Sequence, residues 1–167
     1  MRIFLLGYMG SGKTTLGKAL AQDLGWEFQD LDQVLEASLG MPVANFIEDF
    51  GELKFRKAEH EALMGWLDQA SEHAVLSLGG GTPVFYNHME ALNANGTTVF
   101  LDVSVGELAR RLSGVTNRPL IKTSEDLTEF VAKHMFERRP YYSQAKVRVP
   151  GDAIDVAALK AALGLSL

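Results

Sequence analysis

The chain has 167 residues, of which 47% are hydrophobic and 22% charged, with no cysteine and a formal net charge of −5 at pH 7. This length fits one domain, the lack of cysteine excludes disulfides and thiolate chemistry, and the acidic balance argues against a broad nucleic-acid surface. Because the chain has neither the roughly 20 unbroken apolar residues of a membrane helix nor the layout of a signal peptide, we expect a cytoplasmic protein without membrane contact. We also expect a monomer, since the fold buries its own core and no apolar surface stripe is evident in the sequence.

Short apolar runs alternate with longer segments of helical periodicity along the chain. The runs predict strands at 3–6, 26–28, 74–78, 98–103 and 146–149. The segments between them predict helices over 16–24, 52–70, 105–112, 127–136 and 156–163. Strands that alternate with helices imply crossover units. The fold class is therefore α/β, with a parallel sheet between two layers of helices.

A glycine-rich segment follows the first predicted strand directly and precedes the first predicted helix. Its pattern, Gly7-x-x-x-x-Gly12-Lys13-Thr14, is that of a phosphate-binding loop. Glycines let successive N–H groups turn towards phosphates, the helix start adds a positive dipole end, and the lysine reaches the outer phosphates. The threonine hydroxyl suits Mg²⁺. The residues that we expect to contact ATP here are Gly10, Ser11, Gly12, Lys13, Thr14 and Thr15.

Two aspartates follow the second predicted strand, in the segment FQDLDQVLE. On an extended backbone Asp30 and Asp32 point the same way, so both carboxylates could face the phosphates, one near Mg²⁺ and one as a base. The alternative is that Asp32 only caps a helix that begins at Gln33. Since no Asn-Lys-x-Asp element of guanine-specific switches is present, the pattern favours a small-molecule kinase that uses ATP.

The next motifs are GELKFRKAEHEAL and VLSLGGGTPV. Glu52, Arg56 and Glu59 share one helix face, either as a solvated salt-bridge ladder or as an arginine held rigid for a substrate carboxylate. The glycine triplet 79–81 follows a buried strand, where glycine weakens packing unless something must approach the backbone. A polar substrate could bind there, although a plain tight turn would have the same sequence.

Two later arginines precede a proline. Arg118 lies beside Pro119 in the polar stretch 113–126, which predicts a surface loop. A mobile lid with an arginine would shield the γ-phosphate, whereas the simpler interpretation is an ordinary surface arginine. Arg138 is near a helix end, because Pro140 disfavours helical geometry at Arg139. It is a candidate second arginine for a carboxylate.

As an ordered set, these motifs resemble those of the shikimate kinases almost from end to end. They are GYMGSGKTTLGKALA, FQDLDQVLE, GELKFRKAE, LSLGGG, NRPL and RRPYY. The resemblance implies the phosphate-loop kinase fold, with a five-stranded parallel sheet in the order 2-3-1-4-5. It also implies a single domain with a substrate-binding helical region at about 31–62 and a lid at about 112–126. The implied activity is transfer of the ATP γ-phosphoryl to the 3-hydroxyl of shikimate, within aromatic amino-acid (chorismate) biosynthesis.

The resemblance also implies a role for each matching residue. Asp32 binds the ring hydroxyls and acts as the base, while Asp30 and Thr14 form the Mg²⁺ side. For the carboxylate and the pocket, the implied residues are Arg56, Arg138, Glu59, which orients Arg56, and Gly79, Gly80 and Gly81. For ATP they are the lid residue Arg118, together with Arg111 and the segment 150–152 near the adenine.

Several alternatives remain open on the sequence alone. Paired arginines would bind the carboxylate of many different substrates, so a gluconate or other carboxylated-polyol kinase is the second hypothesis. A nucleoside monophosphate kinase is the third. A nucleotide-dependent switch without catalysis is the alternative outside the kinases. Asp102 is expected to be structural or solvent-facing, and the choice of Arg138 over Arg139 depends on the Arg-x-Pro-x-Tyr spacing. The four histidines are predicted to be structural.

Overall fold

Five parallel strands form one sheet at the centre of the chain. The structure, a computed structural model, describes residues 1–114 and 124–166. The strands are β1 (Arg2–Leu6), β2 (Glu27–Asp30), β3 (Ala74–Ser77), β4 (Thr97–Asp102) and β5 (Val147–Pro150). Their order across the sheet is β2-β3-β1-β4-β5, and every neighbouring pair is parallel. Both the five strands and the order implied by the resemblance are confirmed.

Helices connect the strands as crossovers and cover both faces of the sheet. They are α1 (Lys13–Leu24), α2 (Leu31–Leu39), α3 (Val43–Phe50), α4 (Glu52–Gln69), α5 (His88–Asn95), α6 (Val105–Ser113), α7 (Ser124–Tyr142) and α8 (Val156–Ala162). A short 3₁₀ helix, Thr82–Val84, follows β3. Among the described helix starts, side-chain caps begin α2, α6 and α8, where the acceptors are Asp30, Ser104 and Asp155.

The central strand packs its two faces against two separate apolar clusters. Phe4 and Leu6 of β1 belong to the cluster under α2, α4, α5, α6 and α7, whereas Ile3 and Leu5 belong to the cluster under α1 and α8. All four are fully buried. A strand buried on both faces reads as a continuous apolar run, which is why the sequence locates β1 so clearly.

The sequence located strands better than helices. Each strand lies within two residues of its predicted bounds, but periodicity predicted neither α3 nor α5, and α2 appeared only as the helix of the Asp32 alternative. The helix α7 continues through Pro140 to Tyr142, so the prediction that Arg139 leaves helical geometry is wrong. Of the predicted lid, residues 112–113 belong to α6 and 124–126 to α7, while Arg118 lies outside the described residues. Among the described helices, none has the length and apolar character to cross a bilayer.

Candidate active site

The segments that follow β1, β2 and β3 meet at one edge of the sheet. Ser77, at the end of β3, is in register with Leu5 of β1 on one side and with Asp30 of β2 on the other. Because parallel strands present their carboxyl ends together, the two loops after β1 and β3 and the start of α2 after β2 open into one cleft. This topology brings the phosphate loop, the aspartates and the glycine triplet together.

Glycine conformations shape the predicted phosphate loop. Gly10 and Gly12 have φ angles of 82° and 94°, in a region that side chains other than glycine rarely adopt. Gly12 is the N-cap of α1 and has no side chain, so the first N–H groups of the helix point into the loop. The loop therefore has the geometry that anion binding at a helix N-terminus requires.

Lys13 lies inside this loop and not on its surface. Its Nζ donates to the carbonyl oxygens of Gly7 at 2.8 Å and Tyr8 at 3.0 Å, and the residue is 8% exposed. Burial lowers the pKa of Lys13 to about 8, while the charge of Asp32 opposes that shift. The ammonium is thus still protonated at neutral pH, beside the loop that would hold the phosphates.

Asp30 and Thr14 are brought together as the sequence predicted. Thr14 Oγ1 donates to Asp30 Oδ2 at 2.6 Å. The other carboxylate oxygen, Asp30 Oδ1, accepts from the N–H groups of Asp32 at 2.9 Å and Gln33 at 3.3 Å. Asp30 is therefore the N-cap of α2, and the alternative in which Asp32 caps a helix starting at Gln33 is wrong. A hydroxyl and a carboxylate are hard oxygen donors of the kind that Mg²⁺ takes.

Asp32 lies in the first turn of α2 and not on an extended backbone, which corrects the expectation of two aspartates on one strand face. Its Oδ1 comes within 3.3 Å of the point where a Cβ of Gly79 would be. Burial, then the negative charges of Asp30 and Glu59, raise the pKa of Asp32 to about 6. A carboxylate with a pKa near 6 is ionised at neutral pH and is a better proton acceptor than an ordinary aspartate.

The glycine triplet touches a different functional group at each position. A Cβ at Gly79 would contact Asp32 Oδ1 at 3.3 Å, one at Gly80 would meet Arg138 Nη1 at 2.9 Å, and one at Gly81 would collide with Arg56 Nη2 at 2.4 Å. The interpretation as a plain tight turn does not account for these approaches. The triplet lets two guanidinium groups and a carboxylate approach consecutive backbone units.

Arg56 is fixed on several sides. Its Nη1 donates to Glu59 Oε1 at 3.0 Å, and Glu59 is 1% exposed. The guanidinium carbon lies 4.2 Å from the ring centre of Phe85 and 5.0 Å from that of Phe55. Only the contact to Glu52, at 3.6 Å with a side chain 63% exposed, resembles the solvated ladder. Arg56 is therefore a rigid, partly buried cation at the wall of the cleft.

Arg138 and Arg139 point to different places. Arg138 Nη1 is buried and has no hydrogen-bond partner among the described residues, and the guanidinium carbon is 5.5 Å from the ring centre of Tyr8. Arg139 instead bonds both carboxylate oxygens of Asp102, at 3.2 and 3.3 Å. This geometry agrees with the choice of Arg138 by the Arg-x-Pro-x-Tyr spacing, since a buried guanidinium with a free donor suits an anionic ligand.

Asp102 is structural, as one of the two expectations had it, and not solvent-facing. Its side chain is 6% exposed and also accepts from Arg148 Nε at 2.7 Å. Burial alone would raise the pKa of Asp102, but the bonds from Arg139 and Arg148 outweigh it and lower the pKa below its usual value. This pair of arginines ties β4 to α7 and β5 on the side of the sheet away from Asp32.

Arg111 connects the phosphate loop to the segment after β5. Its Nη1 donates to the carbonyl of Gly10 at 3.0 Å and its Nη2 to the carbonyl of Asp152 at 2.7 Å. Glu107 accepts from Arg111 Nε at 2.9 Å. The two elements that the resemblance assigned to the adenine region, Arg111 and 150–152, are therefore adjacent.

Comparison with known proteins gives a family. The family model described as shikimate kinase matches residues 9–161. The chain belongs to the shikimate kinase family. A shikimate kinase of Parabacteroides distasonis is 42% identical over 149 residues, which cover 87% of this chain and 85% of the relative.

Solved shikimate kinases also share the fold over nearly the whole chain. The structure of the enzyme from Bacteroides thetaiotaomicron aligns with a TM-score of 0.90 and 38% identity, covering 99% of both chains. The shikimate kinase from Acinetobacter baumannii in complex with shikimate aligns with a TM-score of 0.85 and 30% identity, covering 98% of this chain and 93% of that one. The phosphate-loop kinase fold inferred from the motifs is therefore confirmed.

Sequence reasoning missed the residues that support Arg56 and Arg138 from behind. Phe85 faces Arg56, and Thr82 Oγ1 donates to Glu59 Oε2 at 2.9 Å. Tyr142 Oη donates to the carbonyl of Gly80 at 2.5 Å beside Arg138. The sequence signal for Phe85 and Thr82 is that both follow the glycine triplet within four residues. Such residues stay close to a binding loop because the chain connects them to it.

Proposed function

We propose that the chain is a shikimate kinase that transfers the γ-phosphoryl of ATP to the 3-hydroxyl of shikimate, yielding shikimate 3-phosphate and ADP in aromatic amino-acid biosynthesis. The observation that carries the proposal is the convergence of Arg56 and Arg138 on Gly81 and Gly80, next to the phosphate loop. Two guanidinium groups beside a phosphate site suit an acceptor that carries a carboxylate. Membership of the shikimate kinase family identifies that acceptor as shikimate.

On the acceptor side, Arg56 and Arg138 bind the carboxylate of shikimate. Glu59 holds Arg56 in position, so its fork is oriented before the substrate arrives. Asp32 and the backbone of 79–81 bind the ring hydroxyls. Positioning of this kind supplies most of the catalysis in phosphoryl transfer, because the protein has little covalent chemistry to perform.

On the nucleotide side, the loop 7–14 binds the phosphates through its backbone N–H groups and Lys13. The residues that bind ATP are Gly10, Ser11, Gly12, Lys13, Thr14 and Thr15, with Arg111 at the adenine end. Thr14 and Asp30 would hold Mg²⁺, and their oxygen atoms, 2.6 Å apart, fit an ion that keeps water and phosphate as its other ligands. When bound, the ion neutralises charge on the β- and γ-phosphates.

Asp32 is the general base in this proposal. With a pKa raised to about 6 by burial and by Asp30 and Glu59, it is ionised at neutral pH and accepts the proton of the attacking hydroxyl. Lys13 stabilises the negative charge on the transferred group. Arg118, in the lid at about 112–126, adds a second cation and helps to exclude water. We expect Arg118→Ala to lower kcat more than the affinity for shikimate.

The proposal extends to setting and assembly. We expect one kinase domain that acts in the cytoplasm as a monomer on two small molecules, ATP and shikimate. The proposed reaction involves neither nucleic acid nor membrane lipid. The helical region at about 31–62, which contains α2, α3 and the start of α4, is the substrate-binding part.

The test is an acceptor panel. ADP release is measured with MgATP and shikimate, quinate, gluconate or AMP, and the product is identified by phosphorus NMR. Turnover restricted to shikimate with phosphate on the 3-hydroxyl supports the proposal. Turnover of gluconate but not shikimate would favour a polyol kinase, and tight ATP binding with no acceptor turned over would favour a non-catalytic switch.

A further inference from the structure

A buried histidine lies behind the Arg56 wall of the cleft, outside the residues that have a role in the proposed reaction. His88, at the start of α5, is 0% exposed. Its Nδ1 is 2.8 Å from the carbonyl oxygen of Thr82, and its Nε2 is 3.0 Å from Nδ1 of His60. A buried imidazole with partners at both ring nitrogens is held in a single orientation.

The partners fix the direction of each hydrogen bond. A carbonyl oxygen can only accept, so His88 Nδ1 carries the proton and donates to Thr82. Burial lowers the pKa of His88 below its ordinary value, although the bond to Thr82 and the charge of Glu59 oppose this, so the ring is neutral at neutral pH. Its Nε2 is then an acceptor, and the His60 Nδ1–H group donates to it.

The same chain of bonds continues to Arg56. Thr82 Oγ1 donates to Glu59 Oε2 at 2.9 Å, and Glu59 Oε1 accepts from Arg56 Nη1 at 3.0 Å. One residue, Thr82, thus receives a bond from His88 at its carbonyl and gives one from its hydroxyl. The buried carboxylate of Glu59 depends on both of its partners, because an unpaired oxygen there would lack solvent.

The backbone of the following turn adopts an uncommon conformation that serves this arrangement. Tyr86 and Asn87 have φ angles of 52° and 55°, in the left-handed region that residues other than glycine seldom occupy. The turn stacks the Tyr86 ring on His60 at 4.4 Å between ring centres and 11° between planes. The rings of His60 and His88 lie edge to edge at the hydrogen bond, with 5.2 Å between ring centres and 17° between planes. The Tyr86 ring thus covers a face of His60, and its centre lies 5.9 Å from that of His88.

We propose that His88 is a positioning residue for substrate recognition, which orients Arg56 for the acceptor carboxylate through Thr82 and Glu59. The groups that face it are Glu59, His60 and Arg56 of α4 and the Thr82 carbonyl. The inference rests on the proposed function, since it concerns affinity for shikimate. It gives a role in substrate recognition to His88, which the sequence predicts to be only structural.

The first test separates hydrogen bonding from shape at position 88. His88→Leu keeps the approximate volume and removes both nitrogens, whereas the side-chain amide of His88→Asn can donate from nearly the position of Nδ1. We expect the KM for shikimate to rise roughly 3- to 10-fold in the leucine variant, with the KM for ATP unchanged, because one buried hydrogen bond is lost. The asparagine variant should recover most of the affinity.

A second pair of variants tests the next link and keeps the inference testable if His88→Leu does not fold. Thr82→Val removes the hydroxyl that holds Glu59, and Thr82→Ser retains it. The valine variant should raise the KM for shikimate, and the serine variant should not. Leu159→Ala, a core change on the other face of the sheet, is the control for general destabilisation and should leave both KM values unchanged.

A spectroscopic measurement tests the hydrogen-bond direction without any substrate. Proton–nitrogen correlation spectra of the imidazole should show a neutral His88 with the proton on Nδ1. A proton on Nε2, or an unchanged shikimate KM in folded His88→Leu and Thr82→Val, would overturn the inference. If the wild type itself does not phosphorylate shikimate, the proposed function fails; if it does and these variants match it, only this inference fails.

Discussion

A single added methyl group at Gly81 is expected to damage carboxylate recognition without damaging the fold. Gly81 has φ −94° and ψ −11°, in the right-handed helical region, so Gly81→Ala creates no backbone strain. The new Cβ would lie 2.4 Å from Arg56 Nη2 and 3.0 Å from the guanidinium carbon. The three atoms nearest to the new Cβ all belong to the guanidinium group, so the substitution acts first on Arg56.

The size of the effect follows from that distance. Ordinary van der Waals contact begins near 3.4 Å, so the guanidinium must move by about 1 Å. Such a movement breaks the alignment of its bond to Glu59 and of its fork to the substrate. A charge-assisted hydrogen bond contributes about 1.5–3 kcal/mol, which corresponds to a roughly 10- to 150-fold loss of shikimate affinity.

The assay is coupled ADP release with shikimate and ATP varied separately, together with thermal unfolding. Gly65→Ala is the matched control, because it lies in α4 with Arg56 and an added Cβ there meets nothing within 4 Å. We expect a large rise in shikimate KM for Gly81→Ala, an unchanged ATP KM, and normal kinetics for the control. An unaltered shikimate KM in folded Gly81→Ala would refute the argument that Arg56 meets the substrate beside this glycine.

Three further predictions concern charges in and around the cleft. Asp32→Asn should abolish turnover while calorimetry still detects ATP binding. The wild-type kcat should fall as the pH drops through about 6, since protonation of Asp32 removes the base. A kcat that stays constant down to pH 5 would contradict this role. Arg138→Ala should raise shikimate KM at least 10-fold, but Arg139→Ala should leave it unchanged because Arg139 pairs with Asp102; equal effects in steady-state kinetics would refute the distinction. Arg56→Lys should also weaken shikimate binding measured by calorimetry, because lysine cannot form the two-pronged contact.

The sequence was sufficient for the sheet and the phosphate loop because both depend on local patterns. A strand buried on two faces leaves a continuous apolar run, and the loop needs glycines and a lysine at fixed spacing before a helix. The helix α3 has apolar residues at helical spacing, Val43, Phe46, Ile47 and Phe50, but its eight residues are too few for periodicity alone to identify a helix. The helix α5 escaped because its start is set by the turn at Tyr86 and Asn87, whose φ angles no local pattern announces.

At the site, motif spacing found the groups that face the cleft but not those that hold them. Arg56, Asp32 and Arg138 lie in recognisable motifs, whereas Phe85 meets Arg56, and His88 meets His60, only in the folded chain. Asp32 shows the limit of local geometry, since the helix begins one residue before it and changes its direction. The assignment of Asp102 to Arg139 and Arg148 likewise depends on the pairing of β4 with β5.

The most direct test of the account is a crystal structure of the protein with shikimate bound. We expect the carboxylate to lie within hydrogen-bond distance of the guanidinium groups of Arg56 and Arg138, with the 3-hydroxyl towards Asp32. A shikimate molecule whose carboxylate is bound elsewhere, with both guanidinium groups away from it, would contradict the account.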